Sequence, residues 1–98
     1  MITKKAEGSK GTVRVTFSLP KDQPGEPVWV VGDFNGWAEQ ADLLRARSNG
    51  RRSVAVSVPA GRRITFRYRT ASGQWFDDDG ADGYEANPHG SRNAVVFT

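Results

Sequence analysis

The chain alternates apolar and polar residues with a period of two, in short runs cut by turn residues. Val13, Val15, Phe17 and Leu19 alternate with Arg14, Thr16 and Ser18. Val54, Val56 and Val58 share one face of a second run, and Ile64, Phe66 and Tyr68 alternate with Arg63, Thr65, Arg67 and Arg69 in a third. Successive side chains of a strand point to opposite faces, so each run fits a half-buried strand. Pro27-Val-Trp-Val-Val31 is β-branched and aromatic, which predicts a strand more buried on both faces, with Trp29 in the core. Leu43 to Arg47, Gln74 to Phe76 and Asn93 to Thr98 complete the strand candidates. Turn chemistry separates them: the proline-rich stretch from Pro20 to Pro27, the glycines flanking Asn35, then Asn49-Gly50, Pro59-Ala-Gly61 and Ser72-Gly73. Ala38 to Leu44 offers one helical turn at most. Asp77 to Arg92 reads as a long polar loop. Residues 1–10 are polar and basic without periodicity and read as a flexible tail.

About seven short strands at spacings of roughly 8–12 residues predict an all-β fold, an immunoglobulin-like sandwich of antiparallel strands. Ninety-eight residues suit one domain, here 11–98 behind the tail. A (β/α)₈ barrel, which needs about 250 residues, is excluded. No stretch approaches the ~20 apolar residues of a membrane helix. The start, Met-Ile-Thr-Lys-Lys, leads into no apolar run, so the expectation is no secretory leader, no membrane partner and a cytoplasmic location. With 0 Cys and 1 His, disulfides, thiol catalysis and Cys- or His-rich metal sites are excluded, and no cofactor is expected.

The formal net charge is +3, but its distribution says more than its total. No acidic residue lies between Asp42 and Asp77, an interval that carries Arg45, Arg47, Arg51, Arg52, Arg62, Arg63, Arg67 and Arg69. Asp77, Asp78, Asp79, Asp82 and Glu85 then follow in one short loop. Solvated strand faces balanced by an acidic loop account for this pattern. A phosphate-binding surface is the competing reading. Neither a recognition helix nor an aromatic ribonucleoprotein signature accompanies the arginines, so nucleic acid is not the expected partner.

Enzymatic signals are weak. The acidic run from Asp77 fails as a calcium loop, because Ala81 and Pro88 stand where oxygen ligands belong. No nucleophile elbow surrounds any serine that could pair with His89. A glycosidase needs two carboxylates held about 5–9.5 Å apart in a cleft, and the acidic loop has no apolar pocket before it to raise a pKa. The aromatics are more informative. There are 3 Trp in the chain, and Trp37 and Trp75 sit at strand ends beside Gly, Asn or Gln. One reading has each capping an end of the core. The other is a sugar platform, where a flat indole stacks on the C–H face of a pyranose and nearby donors take the rim hydroxyls.

The motif order carries a resemblance. Gly32-Asp-Phe-Asn-Gly-Trp37, the Asn-Gly hairpin, Pro-Ala-Gly61 before Ile-Thr-Phe-Arg-Tyr68, Gly-Gln-Trp75 and Asn87-Pro-His-Gly-Ser-Arg-Asn-Ala-Val-Val96 follow one another. Over roughly residues 11–98 this order resembles the family-48 carbohydrate-binding modules. These include the glycogen-binding domain of the AMP-activated kinase β subunit and the isoamylase N-terminal, early-set, domain of branching and debranching enzymes. The resemblance implies an immunoglobulin-like sandwich without catalytic activity that binds α-glucans: glycogen, starch or maltooligosaccharides. It implies stacking on Trp37 and Trp75, and hydrogen bonds to sugar hydroxyls from Arg67, with Arg69 as its alternative, and from Asn93. Ser91 replaces the family's Thr, and His89 replaces an apolar residue that projects into the glucan. Asn35 and Gly36 are expected to shape their turn without touching ligand, and Tyr84 and Asn87 to serve structure. The alternative is a structural or protein-interaction sandwich that has lost sugar binding and joins a glucan-processing enzyme or regulatory protein.

Overall fold

The computed structural model describes residues 1–88 and 90–98 of the chain. Among these, ten strands build two antiparallel sheets, and no α-helix occurs. Strands β1 (Ile2–Ala6), β2 (Thr12–Pro20), β5 (Arg45–Ala46) and β6 (Arg51–Pro59) form one sheet in the order β1-β2-β6-β5. The other sheet runs β4-β3-β7-β10-β9, from β4 (Asp42–Leu43), β3 (Val28–Gly32), β7 (Arg63–Thr70), β10 (Arg92–Phe97) and β9 (Gly83–Ala86). A short strand β8 (Trp75–Phe76) also pairs with β7. The expected all-β sandwich is observed.

The alternating runs set which residues meet between the sheets. Val13, Val15, Phe17 and Leu19 of β2 face Val28 and Val30 of β3, Ile64, Phe66 and Tyr68 of β7, and Ala94 and Val96 of β10 in one core. Phe17 is its hub: its ring lies 4.7 Å from Phe66, 5.7 Å from Phe34 and 6.4 Å from Tyr68. The buried Tyr68 hydroxyl donates to Asp78 at 2.7 Å, and Asp78 Oδ1 accepts from the Gly80 amide at 2.7 Å. Burial, with the Asp78 charge beside it, pushes the Tyr68 hydroxyl pKa strongly up, so it stays a donor.

Four sequence expectations are corrected. Residues 2–6, read as part of a flexible tail, form edge strand β1 paired with β2, with Ile2 packed against the core. Lysines on an edge strand blunt unwanted pairing, so a polar stretch can still be a strand. Leu43 to Arg47 is not one strand. Its β4 half pairs with β3 and its β5 half with β6, and the chain changes sheets at buried Leu44. The long polar loop contains β9, which pairs with β10. Trp29 lies outside the core. Val28 and Val30 take the inner face of β3, so Trp29 and Val31 point to the outer face, where Trp29 is partly exposed.

That outer face positions the candidate site. On one edge of β7, residues 66–70 pair with β3. On its other edge, β10 pairs through Phe66 and β8 takes over at Tyr68. Strands β8 and β10 therefore lie end to end on the same edge. Trp75 is brought beside the start of β10 although 18 positions separate it from Asn93.

Candidate functional site

The turn that carries Trp37 is built residue by residue. Gly32 ends β3 in extended conformation, where a Cβ would lie 2.4 Å from the Thr65 carbonyl oxygen. Only glycine fits that approach. Asp33 Oδ2 accepts from the Thr65 amide at 3.2 Å and its hydroxyl at 3.3 Å, pinning the turn to β7. Phe34 drops its ring onto Phe17. Asn35 Oδ1 accepts from the Gly32 amide at 3.1 Å, and Asn35 Nδ2 donates to the Val30 carbonyl and to Asp42. Gly36 and Trp37 then both take the left-handed region, with φ of 66° and 60°. The Trp37 amide closes the loop onto the Gly32 carbonyl at 2.8 Å. The turn-shaping role expected of Asn35 and Gly36 is thus visible, and its product is an indole left 39% exposed.

Trp75 arrives from the opposite side. The Ser72-Gly73 turn folds β8 back on β7, with the Thr70 amide on the Gln74 carbonyl at 2.8 Å. Glu26, from the proline-rich loop, reaches across and accepts from the Ser72 amide at 2.6 Å and its hydroxyl at 3.1 Å. Those bonds, the backbone one first, hold the Glu26 carboxyl below its ordinary pKa. Trp75 is 38% exposed and lies opposite Arg69, which lies opposite Trp29 in turn. The Arg69 guanidinium sits 5.8 Å from the Trp75 ring centroid, within the ~6 Å reach of a cation–π contact.

The two indoles line one open cavity of about 620 Å³, together with Glu39, Arg67, Asn87, Pro88, Ser91 and Asn93. Small-molecule sites span roughly 300–1,000 Å³. Arg67, with its side chain only 15% exposed, is held by Asp77 at 3.3 Å. Asp77 also takes Arg92 at 2.8 Å. Asn87 Nδ2 donates to Asn93 Oδ1 at 3.2 Å, while Asn87 Oδ1 accepts from the Ser91 amide at 3.2 Å. Asn87 therefore orders the loop and lines the cavity too. Tyr84 serves structure: its hydroxyl donates to the Asp78 carbonyl and its ring lies under Arg92.

Of the residues expected at a glucan site, Trp37, Arg67, Trp75, Ser91 and Asn93 share this cavity. His89 lies outside the described residues. Arg69, the alternative to Arg67, stands behind Trp75 and faces Glu39 at 3.6 Å instead of lining the cavity. Glu39, Asn87 and Pro88 complete the lining, and Glu39 carried no sequence signal beyond lying two residues after Trp37.

Over an alignment of 78 positions that covers 76% of the chain, it is 36% identical to an alpha-amylase of Niallia circulans. The chain is similar to part of a carbohydrate-active protein. The matched segment is a small one, since the chain spans 6% of that amylase's length. No family model matches the chain.

Proposed function

We propose that this chain is a non-catalytic α-glucan-binding module. The observation that carries the reading is the pairing of two half-exposed indoles, Trp37 and Trp75, on one cavity whose wall holds Arg67, Ser91 and Asn93. Indoles stack on the apolar faces of successive glucose rings, while the polar wall takes the rim hydroxyls. The similarity to an alpha-amylase segment supports a glucan in preference to other sugars. A binding role fits the carboxylates better than hydrolysis does. Glu39 is the single carboxylate among the described lining residues, and the nearby Asp77 is engaged by two arginines. A glycosidase uses two free carboxylates across the scissile bond.

Affinity for one module is weak, because stacking on an open surface returns little beyond the ordering it costs. Co-sedimentation with glycogen tests the reading. Retention of the wild type and loss on Trp37→Ala or Trp75→Ala supports it, and a wild type that stays in solution contradicts it. A second reading, a sandwich that packs on a larger partner protein, draws on the small share of the amylase that the chain spans and on exposed Phe97. It predicts a silent glycogen assay and a chain that co-purifies with its partner.

A further inference from the structure

Glu39 enters the cavity from the segment that follows Trp37. Its side chain is 55% exposed, and its ion pair with Arg69, at 3.6 Å, is longer than a hydrogen bond. Both carboxylate oxygens keep their capacity to accept. The remaining polar wall is mostly donor. Asn93 Oδ1 is occupied by Asn87, which leaves Asn93 Nδ2 to donate. Arg67 Nε is committed to Asp77, which leaves its terminal nitrogens. Ser91 adds a hydroxyl.

A sugar hydroxyl both donates and accepts, so a diol can satisfy the donor wall and Glu39 together. A phosphate dianion or a carboxylate only accepts, and it meets Glu39 as a like charge. Asp77 is shared between Arg67 and Arg92, and Arg69 faces Glu39 itself. We infer that Glu39 is a specificity-determining residue that selects uncharged polyhydroxylated chains over their phosphorylated or carboxylated counterparts. The inference rests on the glucan-binding reading and names the ligand class more narrowly.

Calorimetric titration at low salt with maltoheptaose, and with a phosphorylated maltodextrin of the same length, tests it. The wild type is expected to prefer the neutral chain by about tenfold, the ratio that about 1.4 kcal/mol of like-charge repulsion produces. Glu39→Gln is expected to bring that ratio to about one, weakening the neutral chain and strengthening the phosphorylated one. Glu39→Lys is expected to reverse it. Circular dichroism checks that both variants keep the sandwich. Equal or tighter wild-type binding of the phosphorylated chain overturns the inference and leaves the glucan reading standing. A loss by the same factor for both ligands in Glu39→Gln also overturns it, since Glu39 then only positions Arg69 and Trp75. Failure of the wild type to bind either ligand overturns the glucan reading, and the inference with it.

Discussion

Trp37 carries its indole on a backbone that an L-residue rarely adopts, φ of 60°, at a cost of about 1–2 kcal/mol. Strain of this kind persists where surrounding bonds over-determine it, and here Asp33, Asn35 and the Gly32 carbonyl do so. Trp37→Gly relieves the strain and Trp37→Ala does not. Thermal unfolding is expected to show the Gly variant more stable than the Ala variant by about 1 kcal/mol, with glucan binding lost in both. An Ala variant as stable as the Gly variant would show that the turn is relaxed. Gly32 is constrained differently, by space and not by φ. Gly32→Ala pushes a methyl into the Thr65 carbonyl and the Phe34 ring, so a loss of about 1–3 kcal/mol is expected in denaturant titration. Both constraints were partly legible, since two glycines around Asp-Phe-Asn announce a sharp turn. The direction in which Trp37 leaves that turn was not, because it depends on Thr65 and Val30 in strands that only folding brings close.

At the scale of elements, the β7–β8 hairpin depends on a residue far from it in sequence. Glu26 holds the Ser72 amide and hydroxyl, and its carboxyl pKa is lowered from 4.5 by those bonds. A carboxyl whose folded pKa is depressed contributes stability above its unfolded value, and that contribution is lost as pH falls through the folded value. The wild type is therefore expected to lose thermal stability between about pH 5 and pH 3 more steeply than Glu26→Gln. The part of the tryptophan fluorescence that is lost in Trp75→Phe should report the same hairpin loosening. Identical pH profiles for the two proteins would remove Glu26 from this role. The hairpins themselves were plain in the sequence, because Asn49-Gly50 and Ser72-Gly73 fix their turns locally. Strands β4 and β5 were not separable, since the switch between sheets at Leu44 follows from what each half pairs with. The sequence puts Trp29 in the core for a related reason. Its strand is apolar on both faces, so alternation could not say which set turns inward, and the partners in β7 decide it.

For the whole molecule, part of the segregated charge of the sequence becomes ion pairs. Arg63 meets Glu85, Arg67 and Arg92 meet Asp77, and Arg69 meets Glu39. The acidic stretch after β8 thus faces Arg63, Arg67 and Arg92. Electrostatic binding to nucleic acid needs cations free to displace counterions. No mobility shift with single- or double-stranded DNA is expected near 150 mM salt, roughly physiological ionic strength, and a shift that weakens steeply with added salt would contradict this. The site was legible as residue types in an order, and five of the six expected residues do line one cavity. Its acidic member, Glu39, was not, because the segment after Trp37 has no periodicity and only the tertiary fold sets it near Arg69.

On the proposed reading the two indoles form one sugar platform. Calorimetric titration of the chain with maltoheptaose, alongside Trp37→Ala and Trp75→Ala, tests that pairing. Weak but saturable wild-type binding is expected, with a loss of about tenfold or more, equal to about 1.4 kcal/mol, in each variant. Absence of wild-type binding, or affinity unchanged in both variants, would contradict it.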